Sequence, residues 1–150
     1  MISEGEKNSL KLIGKKLEDI KVISAYLQDS IVTVKDIVFL KRNRTFVMIV
    51  NRFMWEDAEK IDSRKNKRIR CAVKFEEVIK VESININQKN KNKPMECLAI
   101  ECSASNDQTY KTMIFFAGNG IIALISETIE IVLQDLGKSW STKHIPRHKI

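Results

Sequence analysis

The chain is poor in the residues that mark several specialised classes of protein. Its 150 residues include only 3 cysteines, 2 prolines and 5 glycines, and 7% are aromatic. So little glycine and proline excludes collagen-like and low-complexity chains. No apolar run reaches the roughly 20 residues of a membrane-spanning helix, so we expect no membrane span. The rest of the composition, 43% hydrophobic and 30% charged, is typical of a globular domain.

The cysteines and the first residues predict a cellular location. Cys71, Cys97 and Cys102 are odd in number and lack the C-x-x-C spacing, so we expect reduced thiols. Residues 1–7 read MISEGEK, which is acidic and is not followed by the apolar stretch of a secretory signal. Together these features predict a cytoplasmic protein.

The net charge of +7, from 26 Lys and Arg against 19 Asp and Glu, permits a nucleic-acid partner. Lysine and asparagine are abundant throughout, however, including loops such as Asn87–Lys93. Excess lysine also keeps small domains soluble. The basic residues lack interleaved aromatic side chains for stacking on bases, so we expect weak, non-specific binding to nucleic acid at most.

One helix is predicted near the N-terminus, after a short strand around Leu10 and Leu12. Apolar residues recur at helical spacing at Leu17, Ile20, Ile23 and Leu27. Glu18 and Asp19 lie where the positive end of a helix dipole favours acidic residues. We therefore predict an amphipathic helix over Leu17–Asp29.

The middle of the chain predicts antiparallel strands. The strand-like segments are β-branched or alternate between apolar and polar residues. They are Ile31–Val34, Ile37–Leu40, Thr45–Val50, Ile69–Phe75, Ile79–Val81, Cys97–Ile100, Tyr110–Ala117 and Ile121–Ile125. The pattern breaks near Glu77, which predicts a bend or bulge. Gly118-Asn119-Gly120 predicts a tight hairpin, because these residues tolerate positive φ angles.

A second helix is predicted after Ser126. Four apolar residues follow the i, i+3, i+4, i+7 pattern of a helix stripe: Ile129, Val132, Leu133 and Leu136. Ser126 suits the start of a helix and Gly137 suits its end. The sequence therefore predicts a C-terminal helix that buries this stripe.

These elements predict one α+β domain over residues 1–150. It consists of an antiparallel β meander or barrel with an N-terminal helix and a C-terminal capping helix. We expect tails at 1–9 and 138–150 and an exposed loop at 56–68, which begins acidic and ends basic. A closing helix on an antiparallel barrel is similar to the pleckstrin-homology-like fold.

Three segments resemble a known family: Leu10–Asp29 (LKLIGKKLEDIKVISAYLQD), Asn51–Asp57 (NRFMWED) and Asp135–His148 (DLGKSWSTKHIPRH). Along nearly its whole length the chain is similar to the uncharacterised alphaproteobacterial family called domain of unknown function 2948. The Lys15-Lys16 pair and the Lys- and Asn-rich loops depart from that pattern. The resemblance implies no activity, cofactor or site residue.

Catalytic and metal-binding patterns are not found in the sequence. The cysteines lie in or beside predicted strands, where buried thiols are unreactive. His144 and His148 are four residues apart, but Pro146 between them opposes a helix that would present both to a metal. Glu76 and Glu77 point to opposite sides of a strand. We predict no catalytic residue, no metal site and no cofactor.

One segment has the composition of a binding site. Residues 51–56, NRFMWE, combine an arginine with a tryptophan, the side chains most often found at interface hot spots. The competing interpretation is structural, with Trp55 in the core and Arg52 paired to a nearby carboxylate. The candidate binding residues are Asn51, Arg52, Trp55, Glu56, Trp140 and His144.

These observations favour a small, non-enzymatic binding or scaffolding module whose partner is a protein, and they leave a homo-oligomer open. The first alternative is a nucleic-acid-binding protein that uses Lys60–Arg70 and the tail. The second is a small-molecule-binding protein or enzyme with an unrecognised site. A binding module predicts an exposed apolar patch, a nucleic-acid binder a basic stripe, and an enzyme a deep pocket with several ionisable groups.

Overall fold

The structure, a computed structural model, describes residues 10–58 and 66–142. These residues form two α-helices and ten strands. They are β1 (Lys11–Gly14), α1 (Leu17–Leu27), β2 (Ile31–Thr33), β3 (Ile37–Leu40), β4 (Thr45–Phe53), α2 (Trp55–Ala58), β5 (Lys67–Phe75), β6 (Val78–Ile84), β7 (Pro94–Ala104), β8 (Tyr110–Phe116), β9 (Ile121–Ser126) and β10 (Ile131–Ser141). Neither described helix is long and apolar enough to cross a membrane.

The strands form one sheet in the order β1-β10-β5-β4-β2-β7-β8-β9-β6, and β3 also pairs with β4. Every pair is antiparallel, which confirms the predicted strand arrangement. In the described part of the chain β1 and β6 are the two ends of the sheet and do not pair with each other. The predicted barrel is therefore wrong, because β10 and β1 extend the sheet on the side away from β6.

The predicted C-terminal helix is also wrong, because its residues form β10. Ile131 and Leu133 are buried and alternate with Val132, and Leu136 is largely exposed, so the period is two residues. β10 pairs with β5 over most of its length. Without a closing helix, the likeness to the pleckstrin-homology-like fold is not confirmed.

The N-terminal helix is confirmed, and its local interactions explain where it begins and ends. One carboxylate oxygen of Asp19 accepts hydrogen bonds from the backbone N–H groups of Lys15 and Lys16, at 3.0 and 3.1 Å, which satisfies two donors at the start of α1. The chain leaves the helix through Asp29, whose φ of 65° is left-handed. Its apolar face is buried in the protein core, at Ile20, Ile23 and Leu27.

Helix α1 packs closely against the sheet at Gly14. A Cβ atom at this glycine would lie 2.6 Å from the Cδ1 atom of Ile23 and 3.2 Å from the Cβ atom of Asp19, so a larger residue would force these side chains on α1 to shift. Gly14 pairs with Ile131, and Ile131 pairs with Phe75. We call the side of β3, β4, β5, β10 and β1 on which these buried residues lie the inner face, and the opposite side the outer face.

The predicted hairpin is present, and the predicted bend near Glu77 is a turn between two strands that do not pair with each other. Gly118 and Asn119 have φ angles of 82° and 68°, and Phe116 donates its N–H to the Gly120 carbonyl oxygen, as expected for a tight hairpin. Glu77, with a φ of 55°, lies in the turn between β5 and β6.

The ends of the expected loop and tail are more ordered than the sequence predicts. Trp55–Ala58 is helical, and β5 already begins at Lys67. Strand β10 continues to Ser141, into the segment expected to be a tail. Residues 59–65 of the loop and 143–150 of the tail lie outside the described residues.

Candidate functional site

The most unusual charged group in the described chain is Arg52, whose side chain is 0% exposed. It points from β4 into the inner face, towards Asp135 on β10. The guanidinium Nε lies 3.1 Å from Asp135 Oδ1, and Nη2 lies 2.8 Å from Asp135 Oδ2. Because β5 separates β4 from β10 in the sheet, this forked ion pair joins two strands that share no backbone hydrogen bonds.

A second carboxylate completes the coordination of this arginine. Glu56 lies one helical turn after Arg52, on α2, and its Oε1 and Oε2 accept hydrogen bonds from Nη1 and Nη2, both at 2.8 Å. Nη1 also lies 3.5 Å from the Phe53 carbonyl oxygen. A guanidinium has five N–H donors, and these contacts use all of them. Arg52 is therefore fully engaged within the fold.

The ion-pair cluster also binds β1 and α1 to the sheet. Asp135 Oδ2 accepts a hydrogen bond from the Leu10 backbone N–H at 3.1 Å, and the Asp135 N–H donates to the Leu10 carbonyl oxygen at 2.9 Å. The Arg52 guanidinium lies 5.6 Å from the centre of the Tyr26 ring, a cation–π distance. The cluster thus connects the two N-terminal elements with β4, α2 and β10.

The electrostatics of the cluster favour the charged arginine. Burial by itself lowers the pKa of the Arg52 guanidinium, but the hydrogen bonds to Glu56 and Asp135 and their negative charges outweigh burial and raise the pKa above its ordinary value. A buried pair of this kind costs much to break, because the partner left behind is a buried, uncompensated charge. Its chemistry is that of a structural clamp.

Trp55 is also held by internal contacts. Its indole N–H donates to the Gln28 carbonyl oxygen at 2.8 Å, and its ring meets Phe53 edge-to-face with centroids 4.5 Å apart. A depression of about 240 Å³ lies beside it, and the described residues that line it are Ala25, Tyr26, Trp55 and Glu56. Of the predicted site, the structure therefore brings Arg52, Trp55 and Glu56 together.

The other predicted site residues lie apart from this cluster. Asn51 pairs with Arg70, on the outer face, and its carbonyl oxygen accepts a hydrogen bond from Arg68 Nη1 at 3.1 Å. Trp140 is 40% exposed and pairs with Arg68 near the end of β10. His144 lies outside the described residues, so its relation to the cluster stays a prediction.

The described thiols are unsuited to nucleophilic catalysis. Burial is the main cause that raises the pKa of Cys71 above its ordinary value, and it raises the pKa of Cys97 to about 12. Burial also raises the pKa of Cys102. A reactive cysteine needs the opposite shift. In residues 10–58 and 66–142 no three His, Cys, Asp or Glu side chains form a group that could hold a metal ion.

A larger cleft, of about 320 Å³, lies at the opposite part of the sheet. It is formed by the 85–93 connector and the β8–β9 hairpin. Polar groups lining it include Asn85, Asn87, Asn90, Lys93 and Glu96. Two of these amides form hydrogen bonds with the backbone of the surrounding loops: Asn85 Nδ2 donates to the Asn119 carbonyl oxygen, and Asn87 Oδ1 accepts a hydrogen bond from the Lys89 N–H. The cleft contains only two ionisable side chains, which is not the pattern of an active site.

The outer face is apolar and open to solvent. Its central row consists of directly paired residues that cross all five strands: Val38, Val47, Lys74, Val132 and Ile13. The side chains at both ends of the row are half exposed, Ile13 at 55% and Val38 at 48%. Leu40 and Leu136 add further exposed apolar surface at 43% and 38%. Ordinary surfaces scatter such residues singly, whereas here four of them lie on one face and the half-buried Val47 and Val132 lie between them.

The charges on the outer face are mostly positive. Arg70 and Lys74 project from β5 and Lys11 from β1, and all three are exposed. Alternation within the strands directs Asp135, the only acidic residue of these five strands, to the inner face.

By the same alternation Arg68 lies on this side of β5, so in the described residues the five strands contribute at least four cations and no carboxylate to this face. Two carboxylates from outside the strands border it: Asp36 lines the same groove as Arg70, and Glu76 accepts a hydrogen bond from Thr45 Oγ1 at 3.0 Å.

The outward side of β7, β8, β9 and β6 provides a contrast within the same sheet. It also exposes apolar residues, for example Ile84 at 49%. Its charges are mixed, however: Glu82 and Glu101 lie at the two ends of one row across the four strands, and Lys80 and Lys111 flank Ile125 in the next row. Lys80 and Glu82 form an ion pair at 2.8 Å. This half of the sheet balances its own charge.

Comparison with protein families gives a match over residues 10–148, nearly the whole chain, to the model described as Protein of unknown function (DUF2948). The chain belongs to the DUF2948 family. Comparison with curated proteins and with solved structures gives no match. Membership of DUF2948 confirms the resemblance inferred from Leu10–Asp29, Asn51–Asp57 and Asp135–His148, and the family's description assigns no substrate, ligand or partner.

Sequence reasoning missed two groups of residues in this DUF2948 protein. Asp135 was not recognised as the partner of Arg52, because 83 residues separate them and no local pattern connects them. The cations of the outer face were visible as the polar positions of an alternating strand, at Arg70 and Lys74. Their alignment with apolar residues of four other strands depends on the register of the sheet, which the sequence does not reveal.

Proposed function

We propose that this protein is a small non-enzymatic binding module that holds a protein partner on the outer face of β3, β4, β5, β10 and β1. The observation that carries the proposal is the row of apolar side chains from Val38 to Ile13, which is half exposed at both ends and is interrupted by Lys74. Contiguous apolar surface of this kind favours association, because covering it removes it from water.

The chemistry of the described residues supports binding over catalysis. An enzyme needs a pocket in which ionisable groups have shifted pKa values that suit proton or group transfer. Here Arg52, Glu56 and Asp135 satisfy one another, and the raised pKa values of the thiols make them poor nucleophiles. The three free cysteines support the expectation of a reducing, cytoplasmic compartment.

The ion-pair cluster contributes to this function indirectly. It joins β4, α2, β10 and the Leu10 end of β1, so it fixes strands whose opposite sides form the outer face. A binding surface built on rigid strands keeps its shape before the partner arrives and loses little conformational entropy on binding. The shape of the outer face thus depends on Arg52, although Arg52 does not touch the partner.

Site-specific photo-crosslinking in the native host tests the proposal. Benzoylphenylalanine replaces Val38 on the outer face, or Ile84 on the mixed-charge half of the sheet, as the control. The two positions are matched in exposure, at 48% and 49%. We expect a saturable protein adduct from position 38 that excess unlabelled wild-type protein competes away, and little adduct from position 84. Equal adducts from both positions, or none from position 38, would contradict the proposal.

Nucleic-acid binding is the alternative that the exposed cations favour. Lys11, Arg70 and Lys74 could contact phosphates, and the exposed Trp140 pairs with the neighbouring Arg68. The outward residues between these three cations are aliphatic or amide side chains, however, so one ring at the edge is the only stacking platform that the described strands offer there. Labelled RNA and DNA titrated across salt distinguish the two functions. We expect weak binding that falls steeply with salt. Tight, sequence-dependent binding above physiological salt would make nucleic acid the partner.

A further inference from the structure

We infer that the partner segment covering the outer face is an acidic amphipathic helix of another protein. The inference rests on the proposed function and adds the chemistry of the partner. Lys74 lies within the central apolar row, between Val47 and Val132, and Arg70 lies between Asn51 and Leu136. Cations outnumber carboxylates on this face, where only Asp36 and Glu76 border it, so a partner that covers it gains by bringing carboxylates of its own.

Charge repulsion argues against a dimer in which the outer face of a second copy covers the outer face of the first. Two outer faces brought together by a twofold axis would oppose Lys11, Arg70 and Lys74 of one copy to the same three cations of the other. Like charges buried together without compensation weaken association. Aspartate or glutamate side chains on the partner would instead pair with these cations while its apolar side chains cover Val38, Val47 and Val132.

The positions of the cations also favour a protein over a lipid surface. A protein surface that binds a membrane inserts its apolar side chains several ångströms below the lipid headgroups, and its cations lie around the edge of that apolar surface. Lys74 lies in the middle of the apolar row instead, two strands away from both Val38 and Ile13. Covering that row with lipid would draw Lys74 towards the acyl chains, where a charge is costly. A partner carboxylate can meet Lys74 where it lies.

The backbone of the partner explains why it is helical. The hydrogen-bonding groups of a strand point along the sheet, so the outer face offers side chains and no free backbone partners. A segment that lies on this face must satisfy its own N–H and C=O groups, and a helix does so. Five strands spaced about 4.8 Å apart span about 19 Å, so a helix of about 18 residues, ~27 Å long, crosses the face.

Binding of defined peptides tests the inference. The probe is a fluorescent helix of about 18 residues with a leucine stripe flanked by glutamates, and the matched control carries lysines at the glutamate positions. The protein variants are Arg70→Glu/Lys74→Glu and, as a control on the mixed-charge half, Lys111→Glu. Anisotropy gives each Kd, and far-UV circular dichroism checks that every variant is folded.

We expect saturable binding of the acidic helix, about tenfold weaker after the double charge reversal and changed less than about twofold by Lys111→Glu. The lysine helix should not bind the wild-type protein. Equal binding of both helices, unaffected by charge reversal, would overturn the inference and leave the proposed function intact. No saturable binding of the acidic helix would also overturn it.

Two further results identify the occupant: the first tests the inference apart from the proposed function, and the second tests both. Mass spectrometry of the adduct at position 38 should identify a cross-linked segment that is acidic and has apolar residues at helical spacing; a neutral or basic segment would contradict the inference alone. Cosedimentation with vesicles containing about 30% phosphatidylserine should be weak. If vesicles bind the protein and the double reversal releases it, the occupant is a lipid surface.

Discussion

The inner and outer faces of the same five strands differ in how their positively charged side chains are neutralised. On the inner face Arg52 meets two carboxylates and is fully buried. On the outer face three exposed cations lie among apolar side chains with no carboxylate from these strands. The difference indicates that the inner charge stabilises the fold, whereas the outer charges are available to a partner.

The largest expected effect comes from breaking the inner pair. Arg52→Met leaves the Asp135 carboxylate buried without its cation, so we expect the free energy of unfolding to fall by about 3–5 kcal/mol. Arg52→Lys keeps the charge but loses the fork, so its loss should be smaller. Urea denaturation measures both. A loss below about 1 kcal/mol for Arg52→Met would show that the cluster does not stabilise the fold.

The next effect separates the two faces of β10. Leu133 is fully buried on the inner face, whereas Leu136 is 38% exposed on the outer face. We expect Leu133→Ala to cost about 2–5 kcal/mol and Leu136→Ala about 0.5 kcal/mol or less. If this segment were a helix, Leu133 and Leu136 would lie on one buried stripe. Similar losses of stability in the two variants would therefore contradict the assignment of β10 as a strand.

A smaller effect should appear at high pH. Burial raises the pKa of Cys97 to about 12 in the folded protein, whereas an unfolded cysteine ionises near pH ~8.5. Above that pH the unfolded chain releases a proton that the folded protein keeps. The stability contribution is therefore complete below pH ~8.5 and is lost as the pH rises towards 12. Urea denaturation from pH 7 to 10 should show that the free energy of unfolding falls less in Cys97→Ala than in the wild-type protein. An equal fall in both proteins would contradict the raised pKa of Cys97.

The parts of the fold that were predicted correctly depend on local patterns. Helix α1 was predicted because Ile20, Ile23 and Leu27 lie on one side of a helix and are all buried in the core. The β8–β9 hairpin was predicted because Gly118 and Asn119 tolerate positive φ angles. Each signal lies within a few residues of the element that it specifies.

Strand β10 was mistaken for a helix for a physical reason. Its inward positions are Ile131, Leu133 and Asp135, and a carboxylate at a buried position hides the two-residue alternation of a strand. The carboxylate is tolerated there because Arg52, distant in sequence, neutralises it. The same ion pair therefore explains both the missed strand and the incomplete prediction of the site, where Arg52 and Glu56 were recognised and Asp135 was not.

The most direct test of the account combines function and stability in one variant. Arg70→Glu/Lys74→Glu is introduced into the protein that carries benzoylphenylalanine in place of Val38, and adduct yield and thermal midpoint are measured together. We expect the adduct to be lost while the midpoint stays close to that of the parent, because exposed charges contribute little to folding. An undiminished adduct, or a fold that collapses with the reversal, would contradict the claim that the outer cations serve a partner.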